Sequence, residues 1–125
     1  MKHVEFEVPL LAVAKGRPRV GKWGVYTPAK TRRFESEFRE LAEKCAPEKK
    51  FSGPLFVELW FNLPRPKKPK NKDWPISRPD LDNFIKIILD SLIDFWNDDA
   101  QVVKLTAGKY YTRFEPSIKV SIQEI

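Results

Sequence analysis

The sequence is short of the residues from which many catalytic and metal sites are built: among 125 residues it has one cysteine, Cys45, and one histidine, His3. A single cysteine excludes a disulfide framework and a cysteine-based zinc site, and a single histidine excludes histidine-dependent triads and histidine-rich metal sites. No apolar run is long enough to cross a bilayer. Glu5 and Glu7 break the first apolar stretch, so no export signal is expected. Any chemistry must come from carboxylates, lysines or a cation that they bind.

The chain does have enough apolar residues for one core and a marked excess of positive charge. Hydrophobic residues make up 42% and aromatic residues 13%, while the length leaves no room for a second domain. The formal net charge is +6, and it is concentrated in residues 1–35 and 64–80. Basic segments rich in proline, glycine and aromatic residues are typical of proteins that bind a phosphate backbone, although a solvated surface gives the same pattern.

The pattern of apolar residues predicts a single α+β domain, with a small mixed or antiparallel sheet covered by two helices. The third strand is expected to be interrupted near Gly108. The expected strands lie at 3–8, 55–61, 101–113 and 117–122, and the expected helices at 29–45 and 80–93.

The first helix has a recognisable start and an apolar stripe. Thr27 is expected to cap it, with Pro28 at its first position, and Cys45 to lie on the stripe as a small core residue. Before this helix, residues 16–26 are expected to form a loop or short hairpin. Residues 64–79 contain five prolines and are expected to form a long basic loop, which in a small domain is usually functional or disordered.

On the second helix, apolar and polar side chains separate onto opposite faces. Taken singly, the polar residues have ordinary explanations: Asp80 as an N-cap, and Asp82 with Lys86 as a surface ion pair one turn apart. The expected polar face gathers Asp82, Asn83, Lys86 and Asp90, and the expected apolar face Leu81, Phe84, Ile85, Ile88, Leu89 and Leu92.

Asp98 and Asp99 follow this helix after a short turn. Several carboxylates close together repel one another, and a bound cation would account for their presence. Hard cations such as Mg²⁺ take oxygen ligands, commonly one or two carboxylates plus phosphate and water. If the chain folds back to the helix start, one of these residues would join Asp80 and Asp82 around such an ion. The ion would activate water or polarise a phosphodiester, and Lys86 would neutralise charge on the phosphoryl group. The competing interpretation of the later pair is a solvated turn.

These residues together resemble the RusA family of Holliday junction resolvases, and the resemblance extends over nearly the whole chain. Its most specific part is the Asp80-Leu-Asp82-Asn83 run with Lys86 three residues later and the Asp98-Asp99 pair beyond. The matching segments are RPDLDNFIK at 78–86, DSL at 90–92, NDDAQV at 97–102, Lys109, GRPR at 16–19 and YTP at 26–28.

The resemblance implies a homodimeric, Mg²⁺-dependent endonuclease, with Mn²⁺ as a possible substitute, that cuts two opposing strands of a four-way DNA junction symmetrically in recombination and repair. It implies a bacterial, phage or prophage origin, a cytoplasmic setting and no membrane partner. The implied catalytic residues are Asp80, Asp82, Asp99 and Lys86, the implied metal ligands Asp80, Asp82, Asp98 and Asp99, and the supporting residues Asn83, Asp90 and Gln101.

An acidic site that cuts DNA needs a basic surround, because its own charge would otherwise repel the phosphates. Trp23 and Trp74 are candidates for stacking on exposed bases at a crossover, or else simply hold their loops against the core. The predicted DNA-binding residues are Arg17, Arg19, Lys67, Lys68, Lys70, Lys72, Arg78 and Lys109.

Two other functions fit the same residues. The chain could be a non-catalytic module that binds DNA or RNA through the basic loops, with the carboxylates as caps and surface pairs. It could also be a nuclease of the same chemistry acting on forks or flaps. The dimer interface is open, since Phe95 and Trp96 are explained equally well by an interface and by core packing.

Overall fold

The computed structural model describes residues 2–17 and 19–125, so Pro18, within the GRPR segment, lies outside the described residues. Two short 3₁₀ turns, Glu43–Cys45 and Asp99–Gln101, accompany the regular elements. The strands are β1 (His3–Val8), β2 (Arg19–Gly21), β3 (Gly24–Tyr26), β4 (Leu55–Pro64), β5 (Val102–Thr112) and β6 (Ser117–Glu124), and the helices are α1 (Ala29–Ala42) and α2 (Leu81–Ser91).

The main sheet is mixed, with the strand order β1-β6-β4-β5. β6 pairs antiparallel with β1 and β4, whereas β4 and β5 run parallel, joined through α2. β2 and β3 form a separate two-stranded hairpin. The predicted α+β class with one small mixed sheet and two helices is therefore confirmed. Because β5 is the last strand of the sheet, its outer edge has no strand partner among the described residues.

Both helices contribute to one core on a single face of the sheet. The ring of Phe84 from α2 packs against Phe61 of β4 with 5.1 Å between centroids, and Phe6 of β1 stacks on Phe95 at 5.3 Å. Phe38 supplies a fully buried ring from α1. Phe95 and Trp96, considered above as interface candidates, are buried in this core. Core packing is therefore the correct explanation of both.

The ends of α1 differ from the sequence expectation. Pro28, with ψ of 143°, is the N-cap residue, so the predicted cap at Thr27 is wrong. At the other end the α-helix stops at Ala42, and the next three residues form a 3₁₀ turn. A 3₁₀ turn has three residues rather than 3.6, which rotates Cys45 off the apolar stripe. Cys45 is exposed, and its predicted place in the core is wrong.

β5 is continuous over eleven residues, so the interruption predicted near Gly108 is wrong. Gly108 keeps regular parallel pairing with Trp60. Its lack of a side chain serves a different purpose, because a Cβ at this position would collide with the ring of Tyr110. The glycine makes room for an aromatic residue on the same face of the strand.

The buried face of α2 is rotated somewhat from the predicted one. Ile87 is fully buried and Ser91 nearly so, although neither lies on the expected apolar face. The Ser91 hydroxyl donates to the carbonyl oxygen of Ile87 at 2.6 Å, which satisfies its hydrogen-bonding need inside the core. α1 packs against α2 and so covers this extra side. None of the helices formed by residues 2–17 and 19–125 is long and apolar enough to span a membrane.

Candidate active site

Asp80 and Asp82 lie at the N-terminus of α2, and their carboxylates have no partner among the described residues. Asp80 is the N-cap residue, but its side chain makes no capping hydrogen bond, and its backbone carbonyl accepts from the N–H of Asn83 instead. Both carboxylates are exposed, and neither forms a hydrogen bond or ion pair with the described residues. The positive end of the helix dipole at this position attracts negative charge. Two bare carboxylates at this position are a donor set that fits a hard divalent cation.

Lys109 of β5 holds the backbone that leads into this pair. Its ammonium donates to the carbonyl oxygens of Ser77 and Pro79, each at 2.9 Å. Two of its three N–H donors are thereby used within the chain. The sequence suggested Lys109 as a DNA contact; its contacts here instead give it a part in placing Asp80, and the DNA contact stays a prediction.

Asp98 and Asp99 form a self-contained turn before β5. Asp98 accepts from the N–H of Ala100 at 2.8 Å, and Gln101 returns the contact by accepting from the N–H of Asp98. Asp99 accepts from the indole N–H of the buried Trp96 at 3.0 Å. Each carboxylate thus has a hydrogen-bond partner that stabilises the turn, as the interpretation of this pair as a solvated turn predicts. Both side chains nevertheless stay exposed.

Gln101, predicted as a supporting residue, ties this turn to the rest of the chain. Its amide nitrogen donates to the carbonyl oxygens of Phe51 and Gly53 at 2.9 and 3.1 Å. Its amide oxygen accepts from the turn itself. The turn is therefore held beside the start of β4, since residues 51–53 directly precede that strand.

The two carboxylate pairs lie at opposite ends of α2. The eleven-residue helix alone separates them by about 16 Å at 1.5 Å per residue. The length of β5 also separates the two pairs. The Asp98–Asp99 turn lies just before Val102, whereas Lys109, which holds the Asp80 segment, lies about 23 Å from Val102 along the strand. Within residues 2–17 and 19–125 no group of three or more histidine, cysteine or acidic side chains is placed to hold a metal. The expectation that the chain folds back to join them is wrong for a single chain.

Lys86 lies on the exposed side of α2, one turn beyond Asp82. Its described ion pair is with Asp90, at 3.9 Å, so the surface pair with Asp82 considered from sequence is wrong. This leaves Asp82 free of any described cation. Asp90 in turn lies 3.2 Å from the ammonium of Lys15.

Lys15 is a residue that the sequence reasoning missed. Its ammonium lies 3.0 Å from Glu35 of α1 as well as close to Asp90. Its backbone N–H donates to the carbonyl oxygen of Asn83. Burial alone would lower the pKa of Lys15, but hydrogen bonds to the two carboxylates outweigh it and raise that pKa above 10.5. Lys15 therefore joins both helices to the segment that leads into the hairpin. The available signal was a lone cation directly after an apolar stretch.

The predicted basic residues other than Lys109 lie on two segments, one that reaches a hollow beside Pro79 and one that leads into Asp80. Arg17 and Arg19 are exposed, and Arg19 lines a surface hollow together with Gly16 and Pro79. The loop 64–79 begins at the end of β4 and leads directly into α2. Its predicted DNA-binding residues are all exposed: Lys67, Lys68, Lys70, Lys72 and Arg78.

The two candidate stacking tryptophans differ. The ring of Trp74 rests against Tyr110 with 5.8 Å between centroids, and the backbone N–H of Trp74 donates to the side chain of Asn71. An anchoring role for Trp74 in its loop is therefore supported. Trp23 is 92% exposed, so the interpretation of Trp23 as a loop anchor is wrong.

The chain is similar to known proteins over nearly its whole length. The sequence model for the family described as "Endodeoxyribonuclease RusA" matches residues 9–123. The chain is 32% identical over 141 residues to "Uncharacterized protein YqaN" of Bacillus subtilis (strain 168), covering 100% of this chain and 99% of that protein. It is 30% identical over 127 residues to "Crossover junction endodeoxyribonuclease rusA" of Lactococcus phage r1t, covering 97% of this chain and 96% of the phage protein.

Proposed function

Because the chain belongs to the RusA family of endodeoxyribonucleases, we propose that it resolves four-way DNA junctions as a Mg²⁺-dependent endonuclease, making paired symmetric nicks during recombination and repair. The observation that carries this proposal is the uncommitted pair Asp80 and Asp82 at the start of α2, flanked by Lys86 and by exposed basic loops. The bacterial and phage relatives favour action in the cytoplasm of a bacterial cell.

We place the remaining ligands on a second copy of the chain. The outer edge of β5 lacks a strand partner among the described residues, and Val103 and Leu105 are exposed along it, at 61% and 38%. An open edge of eleven residues is a ready template for pairing with another strand. In a two-fold dimer the same patch faces itself, so two β5 strands would run antiparallel.

Antiparallel pairing of two β5 strands would bring together the two carboxylate pairs that lie far apart within one chain. The Asp98–Asp99 turn precedes β5, whereas Lys109 and the Asp80 segment lie near its far end. Reversing one copy brings the turn of each protomer towards Asp80 and Asp82 of the other. The dimer then has two equivalent acidic sites, as a symmetric cut across a junction requires.

Each chain would contribute to the reaction through its own groups. Asp80 and Asp82 of one protomer, with Asp99 and its neighbour Asp98 of the other, are the residues that would hold the cation. When bound, Mg²⁺ supplies water activation and stabilisation of charge at the scissile phosphate. Lys86 is placed one turn from Asp82 to offset the negative charge that develops on the phosphoryl group. Lys109 keeps the Asp80 backbone in place.

The charge distribution argues against the non-catalytic alternative. A module that only binds a polyanion gains nothing from exposed carboxylates next to its basic loops, since they weaken phosphate binding. A cation between the carboxylates and the phosphates removes that repulsion. Action on forks or flaps uses the same residues and is separated from junction resolution by the choice of substrate.

The test is a nicking assay on a synthetic four-way junction with each strand labelled in turn, in Mg²⁺ or in EDTA. We expect paired nicks in opposing strands that need Mg²⁺, are lost in Asp82→Asn, and persist in Asp73→Asn. Asp73 is a matched control because it is an exposed aspartate of the basic loop, outside the site. Equal cleavage of forks and flaps would favour the broader nuclease. Tight junction binding without nicking by any protein would contradict the proposal.

A further inference from the structure

The hairpin β2–β3 presents apolar side chains that its own fold does not bury. Val20 pairs with Val25 across the hairpin, and both are largely exposed, at 84% and 71%. Trp23 at the tip is exposed almost completely. An indole is among the largest apolar groups a chain can bury, so its full exposure at a hairpin tip indicates a surface that meets something else.

A tight turn and two glycines shape this hairpin, which has no core beneath it. The turn between its strands consists of Lys22 and Trp23 and is followed by Gly24 with φ of 117°, a conformation that glycine adopts readily. A Cβ at Gly21 would collide with the ring of Tyr26, so the glycine lets that ring lie across the hairpin. The tip is therefore formed by local geometry and leaves the indole of Trp23 in solvent.

The base of the hairpin is fixed directly beside the acidic pair. The N–H of Lys15 donates to the carbonyl of Asn83 in the first turn of α2, and the N–H of Gly16 donates to Thr31 of α1 at 3.0 Å. Arg19, the first hairpin residue, lines a hollow shared with Pro79. β2 then extends about 7 Å from Arg19 to Gly21, and the Lys22–Trp23 turn follows it directly. DNA bound at Asp80 and Asp82 would lie within reach of the tip.

The charge of the hairpin points to nucleic acid as the partner. Residues 15–26 contain four cations and no acidic residue. The Lys22 ammonium lies 5.4 Å from the centroid of the Trp23 ring, so the cation and the aromatic face are presented together. An aromatic face combined with positive charge is the surface that unpaired or unstacked bases bind, since every base has a π-face and carries a phosphate.

We propose that the hairpin is a branch-recognition element, in which Trp23 stacks on a base left exposed where the strands of a branched DNA exchange, while Arg19 and Lys22 contact the flanking phosphates. This inference rests on the proposed function and deepens it. Inside an intact duplex each base is already stacked on both sides, so the indole has no free face to bind. Trp23 therefore contributes to the preference for branched over linear DNA rather than to cleavage.

The test is equilibrium binding in EDTA, where no cleavage occurs, to a four-way junction and to a linear duplex made from the same arm sequences. We expect Trp23→Ala to weaken junction binding by about tenfold or more and to leave duplex binding within about twofold. Trp23→Phe, which keeps an aromatic face, should stay within about threefold of the wild type. Phe114→Ala is the matched control and should leave junction binding within about twofold, because that ring is 87% exposed and lies in neither the hairpin nor the loop 64–79.

The outcomes separate this inference from the function on which it rests. If the wild type prefers the junction and Trp23→Ala is unchanged, or loses junction and duplex binding equally, the hairpin inference is overturned and the proposed function stands. If the wild type shows no preference for the junction, both fall. Sedimentation provides a second check: a Trp23→Ala protein that changes oligomeric state would assign the tip to a second copy and overturn the inference.

Discussion

The ammonium of Lys109 lies 2.9 Å from the carbonyl oxygen of Pro79, the residue directly before Asp80. This contact joins the outer strand of the sheet to the acidic pair at the start of α2. It also gives β5 two separate roles in the account: its open edge is the proposed dimer contact, and its Lys109 side chain fixes the segment that carries two of the proposed ligands.

Lys109→Met is expected to lower the junction nicking rate by about tenfold, because the Asp80 backbone loses both donors while the carboxylates themselves remain. The measurement is a single-turnover nicking rate together with the dissociation constant for the junction. We expect the dissociation constant to change by less than about twofold. Lys109→Arg, which keeps donors at this position, should recover part of the rate. Equal losses in rate and affinity would instead identify Lys109 as a DNA contact.

Lys15→Met is expected to lower the free energy of unfolding by about 1–2 kcal/mol at pH 7, since Glu35 and Asp90 lose a partly buried hydrogen-bonded cation. Because the folded-state pKa of Lys15 is raised, its contribution is fully present below the unfolded value of 10.5 and is lost as the pH rises through the folded value. Urea unfolding should therefore give a constant difference from wild type between pH 7 and 10. A difference that vanishes by pH 9 would contradict the ion pairs described here.

Phe84→Ala is expected to destabilise the domain by about 3–5 kcal/mol, because a fully buried ring that packs on Phe61 leaves a cavity under the first turn of α2. Phe114→Ala is the matched control, as that ring is 87% exposed and its loss should change stability by less than about 0.5 kcal/mol. Chemical denaturation measures both. Similar stability losses in the two variants would show that Phe84 is not part of the core.

Local patterns were enough to predict most of the fold. Alternation of apolar residues placed β1 and β6 correctly, and an exposed polar side with Asp82 and Lys86 was predicted for α2. The errors occur where tertiary contacts decide. Ile87 is buried because α1 covers a second side of α2, and Cys45 is exposed because the helix changes to a 3₁₀ turn.

The candidate site could be predicted by residue type but not by geometry. The sequence separates Asp82 from Asp98 by sixteen positions, and nothing in that spacing shows that a helix holds them apart. The role of Lys109 depends on the parallel pairing of β4 with β5, a contact between distant parts of the chain. The exposure of Trp23 likewise depends on where the hairpin points, which its sequence does not determine.

The most direct test of the account is complementation between two inactive variants, Asp82→Asn and Asp99→Asn, co-expressed with different tags and purified as a heterodimer. If each site takes Asp82 from one chain and Asp99 from the other, the heterodimer has one intact site and one doubly damaged site. We predict single nicks in the junction at about half the wild-type rate per dimer, while each variant alone is inactive. A heterodimer as inactive as its parents, or failure of the two tagged chains to associate, would contradict a site built across two copies of the chain.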